Sequence, residues 1–310
     1  MTTNNFINPN ENSEGNSFKY GSVALIGKPN VGKSTILNSI LGEKLSITSR
    51  RPQTTRHRIL GILTGNSYQI EFHDTPGFSN HVKDLLNQRM RSKIREVIGL
   101  VDLILLVVPP YPPSLVENKL IEDIQKSDSK SILVINKIDR VVKPSLLPLI
   151  SNYKKTHDFL EIIPISAKKH EGIPTLISKI IHYLPYGSPV YENEEITDRS
   201  ERFIASELIR EQLFILFGQE IPFDTAVEIE TFKENSQKNQ KDLIEAVIYV
   251  NKTTQKQILI GSSGNKLKTL GINSRQEIEV TLGRKIFLSL WVQVKEEWKQ
   301  NPAFLEQIGY

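Results

Sequence analysis

Residues 27–34 combine glycines, a lysine and a hydroxyl group at a spacing that suits phosphate binding. Glycines let the main chain wrap around phosphates with its N–H groups pointing inward, and a helix N-terminus adds partial positive charge. In the pattern G-x-x-x-x-G-K-[ST], the lysine reaches the β- and γ-phosphates and the hydroxyl binds Mg²⁺. The context, between an apolar run and a helical pattern that begins at Thr35, predicts a nucleoside-triphosphate site rather than a chance glycine-rich turn. The residues are Gly27, Lys28, Pro29, Asn30, Val31, Gly32, Lys33 and Ser34.

A second stretch, Asp74, Thr75, Pro76 and Gly77, lies downstream of the phosphate-binding pattern. A carboxylate that ends a strand can hold Mg²⁺ through water, and the Gly77 N–H can bind a γ-phosphate and respond to its loss. Alone, this tetrapeptide is typical of an ordinary turn. Its position after the phosphate loop predicts a nucleotide-dependent switch.

Recognition of the base is predicted at Asn136, Lys137 and Asp139. A carboxylate accepts two hydrogen bonds from guanine N1–H and N2–H₂, whereas adenine offers no such pair, and an unpaired buried group costs about 1–3 kcal/mol. Asn136 would brace the base and the phosphate loop, and the Lys137 stem would cover the ring. A later stretch can offer its middle N–H to guanine O6, and it consists of Ser166, Ala167 and Lys168. The ordered set favours a GTPase over an ATPase or a kinase, which Asp139 opposes.

Apolar runs predict the scaffold that positions these side chains. Continuous runs at Leu103–Val108 and Ile132–Ile135 suit central strands of a parallel sheet, because such strands are buried on both faces. Shorter runs at Val23–Ile26, Tyr68–Phe72 and Ile162–Ile165 add strands, and the segments between runs are long enough for helices. Repeated strand–helix units predict an α/β P-loop domain with a mostly parallel, doubly wound sheet.

The chain is predicted to divide into a tail, two domains and a linker. Residues 1–19 form a disordered tail and residues 20–187 form the α/β domain. Residues 188–200, with a proline and a run of acids, form the linker. Residues 201–310 form a smaller α+β domain, whose first helix is predicted at Arg199–Phe217. Its predicted strands are Ala226–Phe232, Leu243–Val250 and Ile286–Val294.

Composition excludes several classes of protein. The 310 residues include no cysteine, so disulfide scaffolds, cysteine-ligated zinc, iron–sulfur clusters and thiol nucleophiles are excluded. There is no run of 18 apolar residues that would span a membrane as a helix, and the first residues lack the pattern of a secretory signal. The net charge of +4 hides an asymmetry, because residues 1–187 carry 24 basic and 16 acidic residues and residues 188–310 carry 15 and 19.

A glycine-bounded loop in the second domain, Gly261, Ser262, Ser263 and Gly264, suits nucleic-acid binding. A G-x-x-G loop between helices lets a nucleic-acid backbone approach closely, while a neighbouring groove reads bases. The stretch 246–276 around it contains no acid, and Lys266 and Lys268 follow the loop directly. A solvated basic face is the alternative interpretation. Because the two serines carry no charge, affinity would depend on the two lysines.

These motifs and their surroundings resemble the Era family of bacterial GTPases. The stretch 27–62 matches almost position for position, and the second half contributes ITDRSERFIASELIREQL, IGSSGNKLKTLG, LWVQVKEEW and LEQIGY. The resemblance covers about Tyr20 to Tyr310. It implies a G domain followed by a type II KH domain that binds the 3′ region of 16S ribosomal RNA during assembly of the 30S subunit, with a link to cell-cycle or energy-metabolism regulation.

The resemblance also assigns a role to residues 50–58, a basic segment that by itself is more typical of a solvated loop. It implies that this segment is the first switch, formed by Gln53, Thr54, Thr55, Arg56 and His57. Thr55, or in its place Thr54, would close on Mg²⁺ and the γ-phosphate, and the charges of the segment would steer RNA or the ribosome. The implied metal ligands are Ser34, Thr55 and Asp74.

Two positions bear on hydrolysis. Phe78 stands where Ras-like enzymes carry a water-orienting glutamine, so intrinsic hydrolysis is expected to be slow, with electrostatic stabilisation from Mg²⁺, Lys33 and backbone donors. Asn30 matches an asparagine that coordinates K⁺ in related GTPases, and a loop-bracing amide is an equal alternative. The expected catalytic residues are Lys33, Thr55, Gly77 and Asn30.

Cofactors, partners and location follow from the resemblance. GTP or GDP, Mg²⁺ and, as a hypothesis, K⁺ are expected, with 16S rRNA and the 30S subunit as partners and no DNA partner. A monomer is expected in the cytoplasm, with peripheral contact at the inner face of the cell membrane. A membrane-associated GTP-dependent regulatory module and a GTPase that acts on another RNA are the alternatives. The sequence leaves open whether Trp291 and Trp298 pack internally or face RNA.

Overall fold

The computed structural model describes residues 18–49, 51, 54–78, 84–218, 220–235 and 240–310. Most of the predicted tail lies outside these ranges, and the first strand begins at Lys19, inside the predicted tail. Within the described ranges, the strands of the first domain are β1 (Lys19–Ile26), β2 (Ile59–Gly65), β3 (Tyr68–Asp74), β4 (Leu103–Val108), β5 (Ser131–Ile135) and β6 (Glu161–Pro164). They form one sheet in the order β2-β3-β1-β4-β5-β6, in which β2 is antiparallel to β3 and the other pairs are parallel.

Helices cover both faces of this sheet. They are α1 (Lys33–Leu41), α2 (Leu85–Ile98), α3 (Leu115–Ser127), α4 (Leu146–Lys154) and α5 (Ile173–Tyr183). Side chains alternate across the pleat, so Val23 and Leu25 pack with α1 and α5, whereas Ala24 and Ile26 pack with α2, α3 and α4. The predicted α/β class with a mostly parallel sheet is confirmed.

The sequence analysis did not predict β2 or α4. The β2 stretch contains Gly61 and ends at Gly65, which weakens any strand pattern. Pro148 interrupts the helical pattern of α4, but it lies in the first turn, where a missing N–H breaks no intrahelical bond.

The predicted linker, residues 188–200, contains no helix or strand. It is hydrogen-bonded to β2, at the edge of the sheet, and to the neighbouring strand β3. Ile62 N donates to Ile196 O at 2.9 Å. The Gln69 side chain donates to Tyr191 O and accepts from Tyr191 N, each at 2.9 Å. These bonds cover a sheet edge that would otherwise expose unpaired backbone groups.

The second domain contains a smaller, separate sheet. Its elements are α6 (Glu201–Leu216), β7 (Thr225–Lys233), β8 (Asp242–Val250), α7 (Thr253–Ile260), α8 (Asn265–Leu282), β9 (Ile286–Val294) and α9 (Pro302–Gln307). The strand order is β7-β8-β9, with β7 antiparallel and β9 parallel to β8. The core lies between one face of this sheet and α6, α7 and α8. The predicted smaller α+β domain is confirmed.

The two domains pack against each other through the other face of the small sheet. Leu86 and Met90 of α2 join a buried cluster with residues of β7, β8 and the C-terminal segment, among them Trp298 and Phe304. Trp298 is fully buried and Trp291 is 46% exposed, so the two tryptophans have different surroundings. Among the described residues, no helix is both long and apolar enough to cross a membrane.

Candidate nucleotide site and nucleic-acid interface

The phosphate-binding loop connects the carboxyl end of β1 to the start of α1. Asn30 and Gly32 have φ angles of 63° and 104°, which produce the tight turn before the helix. A Cβ atom on Gly27 would overlap Val107 O, and one on Gly32 would overlap the Asn136 side chain. The glycines are therefore required by close packing of neighbouring strand ends as well as by conformation.

Lys33 lies buried beneath this loop at the first position of α1. Its Nζ donates to Gly27 O at 3.2 Å and to Lys28 O at 3.1 Å. Burial lowers the pKa of Lys33 to about 8, although the Asp74 carboxylate opposes the shift. Phosphate oxygens are better partners for the ammonium than loop carbonyls are, so a bound polyphosphate would stabilise its charged form.

Ser34, Thr55 and Asp74 come together from three separate segments. Ser34 Oγ lies 2.6 Å from Asp74 Oδ2 and 2.9 Å from Thr55 Oγ1. Asp74 Oδ1 is buried and has no hydrogen-bond partner among the described residues. Burial raises the pKa of Asp74, while Lys33 and the hydroxyl groups of Ser34 and Ser46 oppose the shift. Oxygen donors with an unpaired carboxylate oxygen fit Mg²⁺, and these residues would hold it directly or through water.

The structure distinguishes Thr55 from Thr54. The Thr54 hydroxyl donates to Arg51 O at 2.9 Å, whereas the Thr55 hydroxyl lies 2.9 Å from Ser34 Oγ. The geometry thus favours Thr55 as the metal-binding threonine. Gln53 of the predicted first switch lies outside the described residues.

The sequence analysis missed Ser46 and Asn38, which support the predicted Mg²⁺ ligands Ser34, Thr55 and Asp74. Ser46 Oγ donates to Asp74 Oδ2 at 2.7 Å. The Asn38 side chain donates to Ser46 O and accepts from Ser46 N, at 2.7 and 2.9 Å. A buried hydroxyl between Leu45 and Ile47 was the available signal, because a polar group in an apolar stretch needs a partner.

The predicted base-recognition residues gather at the ends of β5 and β6. Asn136 Nδ2 donates to Val31 O at 2.9 Å, which joins this end of the site to the phosphate loop. The Lys137 ammonium donates to Asn30 O. Ser166 Oγ donates to Asp139 Oδ1 at 2.7 Å and lowers the pKa of Asp139, which keeps the carboxylate ready to accept hydrogen bonds from a base.

Ala167 lies beside Asn136, next to the predicted base-recognition residues. Its N–H, expected to meet guanine O6, donates to Asn136 Oδ1 at 3.1 Å, because Asn136 is buried directly beside it. In this structure Ala167 therefore holds the amide of Asn136. Lys168 is exposed at the surface.

Phe78 directly follows Gly77, at the position where Ras-like enzymes carry a water-orienting glutamine. The side chain is 1% exposed and packs in the core, with the Arg91 guanidinium over its ring. Its N–H donates to Gly27 O at 3.0 Å. A Cβ atom on Gly77 would lie 2.6 Å from Pro29 Cα, so Gly77 also approaches the phosphate loop closely. The Phe78 side chain cannot orient water.

The segment predicted as the first switch is held by the second domain. The Arg56 guanidinium is buried and donates to Pro222 O, Phe223 O and Thr225 O at 2.7–3.1 Å. In the other direction, the Arg210 guanidinium donates to Thr54 O at 2.7 Å. The expectation that the charges of this segment steer RNA is therefore wrong for Arg56, because its guanidinium is enclosed between the domains.

His57 lies in the same contact. Its ring stacks on Tyr310 with centroids 4.1 Å apart. Burial, together with the guanidinium groups of Arg210, Arg199 and Arg56, lowers the pKa of His57 well below its usual value. The ring is therefore neutral and acts as a packing surface between the first switch and the C-terminal residue.

The G-x-x-G loop lies between α7 and α8 on the outside of the second domain. Gly261, Ser263 and Gly264 have φ angles of 74°, 50° and 76°, and both serines are exposed. Lys266 and Lys268 are exposed on the first turns of α8. A groove beside the loop is lined by groups from α8 and β9, including Gly264, Lys268, Arg275 and Phe287. The arrangement can receive a nucleic-acid backbone at the loop and bases in the groove.

Comparisons with known proteins agree with both sites. Residues 22–137 match the family described as 50S ribosome-binding GTPase, and residues 220–299 match the KH domain family. GTPase Era of Lactobacillus helveticus is 45% identical over 300 residues, which cover 96% of this chain and 98% of that protein. GTPase Era of Xylella fastidiosa is 43% identical over 294 residues, with 94% and 98% covered.

Two solved structures have the same architecture over nearly the whole chain. One is Era in complex with MgGDPNP and nucleotides 1506–1542 of 16S ribosomal RNA, and the other is a variant of Aquifex aeolicus Era bound to GDP·AlF4⁻. Each has a TM-score of 0.91 and 37% sequence identity, and covers 94% of this chain and 99% of its own. With a G domain, a KH domain and full-length relatives of this identity, the chain belongs to the GTPase Era family.

Proposed function

We propose that this GTPase works as a switch that binds the 3′ region of 16S rRNA through its KH domain during assembly of the 30S subunit. The observation that carries the proposal is the full-length likeness to the Era structure that contains a GTP analogue and 16S rRNA nucleotides 1506–1542. The exposed loop from Gly261 to Gly264 and the lysines after it supply a matching surface in this chain.

The chemistry assigned to the nucleotide site is attack of water on the γ-phosphorus. A bond forms from the water oxygen as the bond to the β–γ bridging oxygen breaks, which yields GDP and phosphate. Lys33 and the loop N–H groups hold the phosphates, and Asp139 selects guanine. Mg²⁺, held by Ser34, Thr55 and Asp74, supplies positive charge to the phosphate oxygens when bound. Because Phe78 is buried, hydrolysis is slow without a further contribution.

The switch acts on the KH domain through direct contacts. Loss of the γ-phosphate would release Thr55, and its neighbours Thr54 and Arg56 are bonded to α6 and to the start of β7. A change in the nucleotide therefore alters the position of the second domain without an intermediate partner. In the GTP-bound state the switches are ordered and the KH groove is available for RNA.

Crosslinking the full chain to RNA in cells, followed by sequencing of the bound RNA, tests this function. Enrichment of the 3′ end of 16S rRNA is expected. Replacement of both Lys266 and Lys268 should remove that enrichment while GTP binding is retained. Recovery of transfer RNA or other RNA in its place would support the alternative GTPase and overturn the ribosomal assignment.

K⁺ is proposed as an additional cofactor near Asn30, where it would supply positive charge to the phosphates. The support is the left-handed conformation of Asn30 within the phosphate loop, at a φ of 63°. GTP hydrolysis should be faster in KCl than in NaCl, and Asn30→Ala should remove the difference. Equal rates in the two salts would overturn the proposal.

A monomer in the cytoplasm, with peripheral contact at the inner face of the cell membrane, is proposed as the working state. The cytoplasmic location is supported by the proposed ribosomal RNA partner, because this RNA belongs to a cytoplasmic assembly. Sedimentation of the purified chain should give the mass of one copy. Cell fractionation should place the protein with ribosomal particles and, in a smaller share, with membranes that release it at high salt.

A further inference from the structure

A large cavity lies between the two domains, on the α2 side of the first sheet. Its volume is about 510 Å³, and it shares no lining residue with the nucleotide site. Glu71 and His73 of β3 form its floor, α2 forms one wall, and Arg58 and Tyr310 close other sides. A volume of this size falls within the range of small-molecule sites, which is about 300–1,000 Å³.

Positive charge exceeds negative charge around this cavity. Arg58, Arg89, Lys93 and Arg199 line it beside Arg56, against the carboxylates of Glu71 and Glu96. Glu71 accepts from the Tyr20 hydroxyl, and Glu96 lies 3.8 Å from the Lys93 ammonium. Lys93 is engaged by the same contact, and Arg56, Arg89 and Arg199 donate to main-chain carbonyls, which carry no net charge. An excess of cations around a concave, partly enclosed space favours an anionic occupant.

Three lining groups have unused hydrogen-bonding capacity. His73 Nδ1 and Arg199 Nε are buried and have no hydrogen-bond partner among the described residues, although Arg199 Nε lies 3.5 Å from an Asp198 oxygen. Within the same residues the Arg58 guanidinium makes no hydrogen bond or ion pair, and it lies near His73. Buried polar atoms are normally paired, so Arg199 Nε indicates a missing acceptor and His73 Nδ1 a missing partner, while the half-buried Arg58 guanidinium can reach the same space.

The wall formed by α2 contains apolar as well as charged side chains. Met90 and Val97 of α2 line the cavity and are almost fully buried, and Leu100 lies at its rim with 74% of its surface exposed. An occupant therefore meets aliphatic groups of α2 as well as the guanidinium groups of Arg58 and Arg199. Inorganic phosphate alone would leave these aliphatic groups without a partner.

We propose that this cavity is a second ligand site, which binds a small phosphorylated molecule with an apolar or ring-containing body. The phosphate lies between Arg58 and Arg199, and the body lies against Met90 and Val97. Because the site is bordered by the first switch, by α2 and by Tyr310, the ligand holds the two domains in the arrangement described here. This site does not depend on the identity of the RNA partner.

The two methionines of the chain, Met1 and Met90, allow a direct test. The full chain is labelled with ¹³C at the methionine methyl groups and saturated with GDP and Mg²⁺, so that the phosphate loop is occupied. Phenyl phosphate is then titrated, with inorganic phosphate and benzyl alcohol as partial probes. The Met90 signal should shift to saturation with phenyl phosphate, while the Met1 signal stays in place.

Arg58→Gln should raise the half-saturating concentration at least about tenfold, because a charge-assisted hydrogen bond is lost. Arg95→Gln makes the same change on the exposed face of α2 and should leave the titration unaltered. Since the Arg58 guanidinium has no hydrogen-bond partner among the described residues, Arg58→Gln should keep the melting temperature of the wild-type chain. A Met90 signal that does not move, that moves equally with benzyl alcohol, or that responds equally in Arg58→Gln would overturn the proposal.

Discussion

A methyl group added to Gly32 in the phosphate loop would overlap the Asn136 side chain, whereas one added to Gly264 in the KH loop would meet none of the described residues within 4 Å. Both glycines have positive φ angles, 104° and 76°, so both loops need conformations that other residues rarely adopt. The phosphate loop is surrounded by strand ends from its own domain. The KH loop is open to solvent on the side where RNA would lie.

This difference separates two ways of binding a phosphate-bearing ligand. At the nucleotide site, contacts with the surrounding protein fix the conformation of the loop in the absence of a ligand. A substitution in the loop therefore also displaces the residues that pack against it. At the KH loop, only local backbone preference and the charges of Lys266 and Lys268 act on the ligand. Substitutions at the first site should therefore have large effects, and substitutions at the second should have graded effects.

Gly32→Ala should have the largest effect. The added Cβ displaces Asn136 and opposes the backbone conformation, so GTP affinity should fall by at least about 100-fold. Isothermal titration with GTP measures the change. Gly42→Ala is the matched control, because Gly42 has a φ of 74° but a Cβ there meets nothing within 4 Å. Unchanged GTP binding in Gly32→Ala would contradict the comparison.

Asp139→Asn should reduce GTP affinity roughly 100-fold, because two hydrogen bonds to an ionised carboxylate are lost. The amide N–H₂ would instead donate to the O2 of xanthine, so xanthosine triphosphate should gain affinity in the same variant. Competition between the two nucleotides measures the exchange. Asp158→Asn, a change at another carboxylate of the first domain, should not alter the preference.

The double replacement Lys266→Ala and Lys268→Ala should weaken RNA binding about tenfold or more and reduce the slope of log affinity against log salt by about two. Filter binding at several salt concentrations measures both quantities. The same double change at the exposed Lys154 and Lys155 of the first domain is the control. Loss of GTP binding in the first pair would show that the two loops are not independent.

Raising the pH should weaken nucleotide binding through Lys33. The pKa of this buried lysine is about 8 without nucleotide, so the ammonium is lost above that pH, and a nucleotide must restore it by taking up a proton. GDP affinity should therefore fall about tenfold between pH 7 and pH 9. Titration calorimetry in two buffers of different ionisation enthalpy should detect proton uptake. Proton release would contradict the assignment.

Gly264→Ala should have the smallest effect. Adopting a left-handed conformation costs a residue with a Cβ about 1 kcal/mol, so RNA affinity should fall only a few-fold. The RNA affinity should fall less in Gly264→Asn, because asparagine tolerates this conformation better. GTP affinity should stay unchanged in both variants. A loss as large as that at Gly32 would remove the distinction between the loops.

Local pattern was enough to predict the strands that carry the site, because continuous apolar runs such as Leu103–Val108 allow few other interpretations. The motifs also predicted which side chains would gather at the sheet ends. The support of Asp74 by Ser46 was not predictable, since it depends on the fold of a loop 28 positions away. The contacts of Arg56 were not predictable either, because its partners are main-chain carbonyls of the other domain and no residue type identifies them in the sequence.

The arginines at the contact between the domains share one property. Each of them donates to a main-chain carbonyl: Arg51, Arg56, Arg89, Arg199 and Arg210. Arg210 also donates to the Glu207 carboxylate on its own helix. Every residue type supplies such a carbonyl, so the side chains opposite these arginines are free to diverge during evolution while the contact persists. Pairs of positions that change together across relatives would therefore not reveal these arginine contacts. They could reveal only side-chain pairs such as Lys44 with Glu211 and Glu277, which also join the two domains.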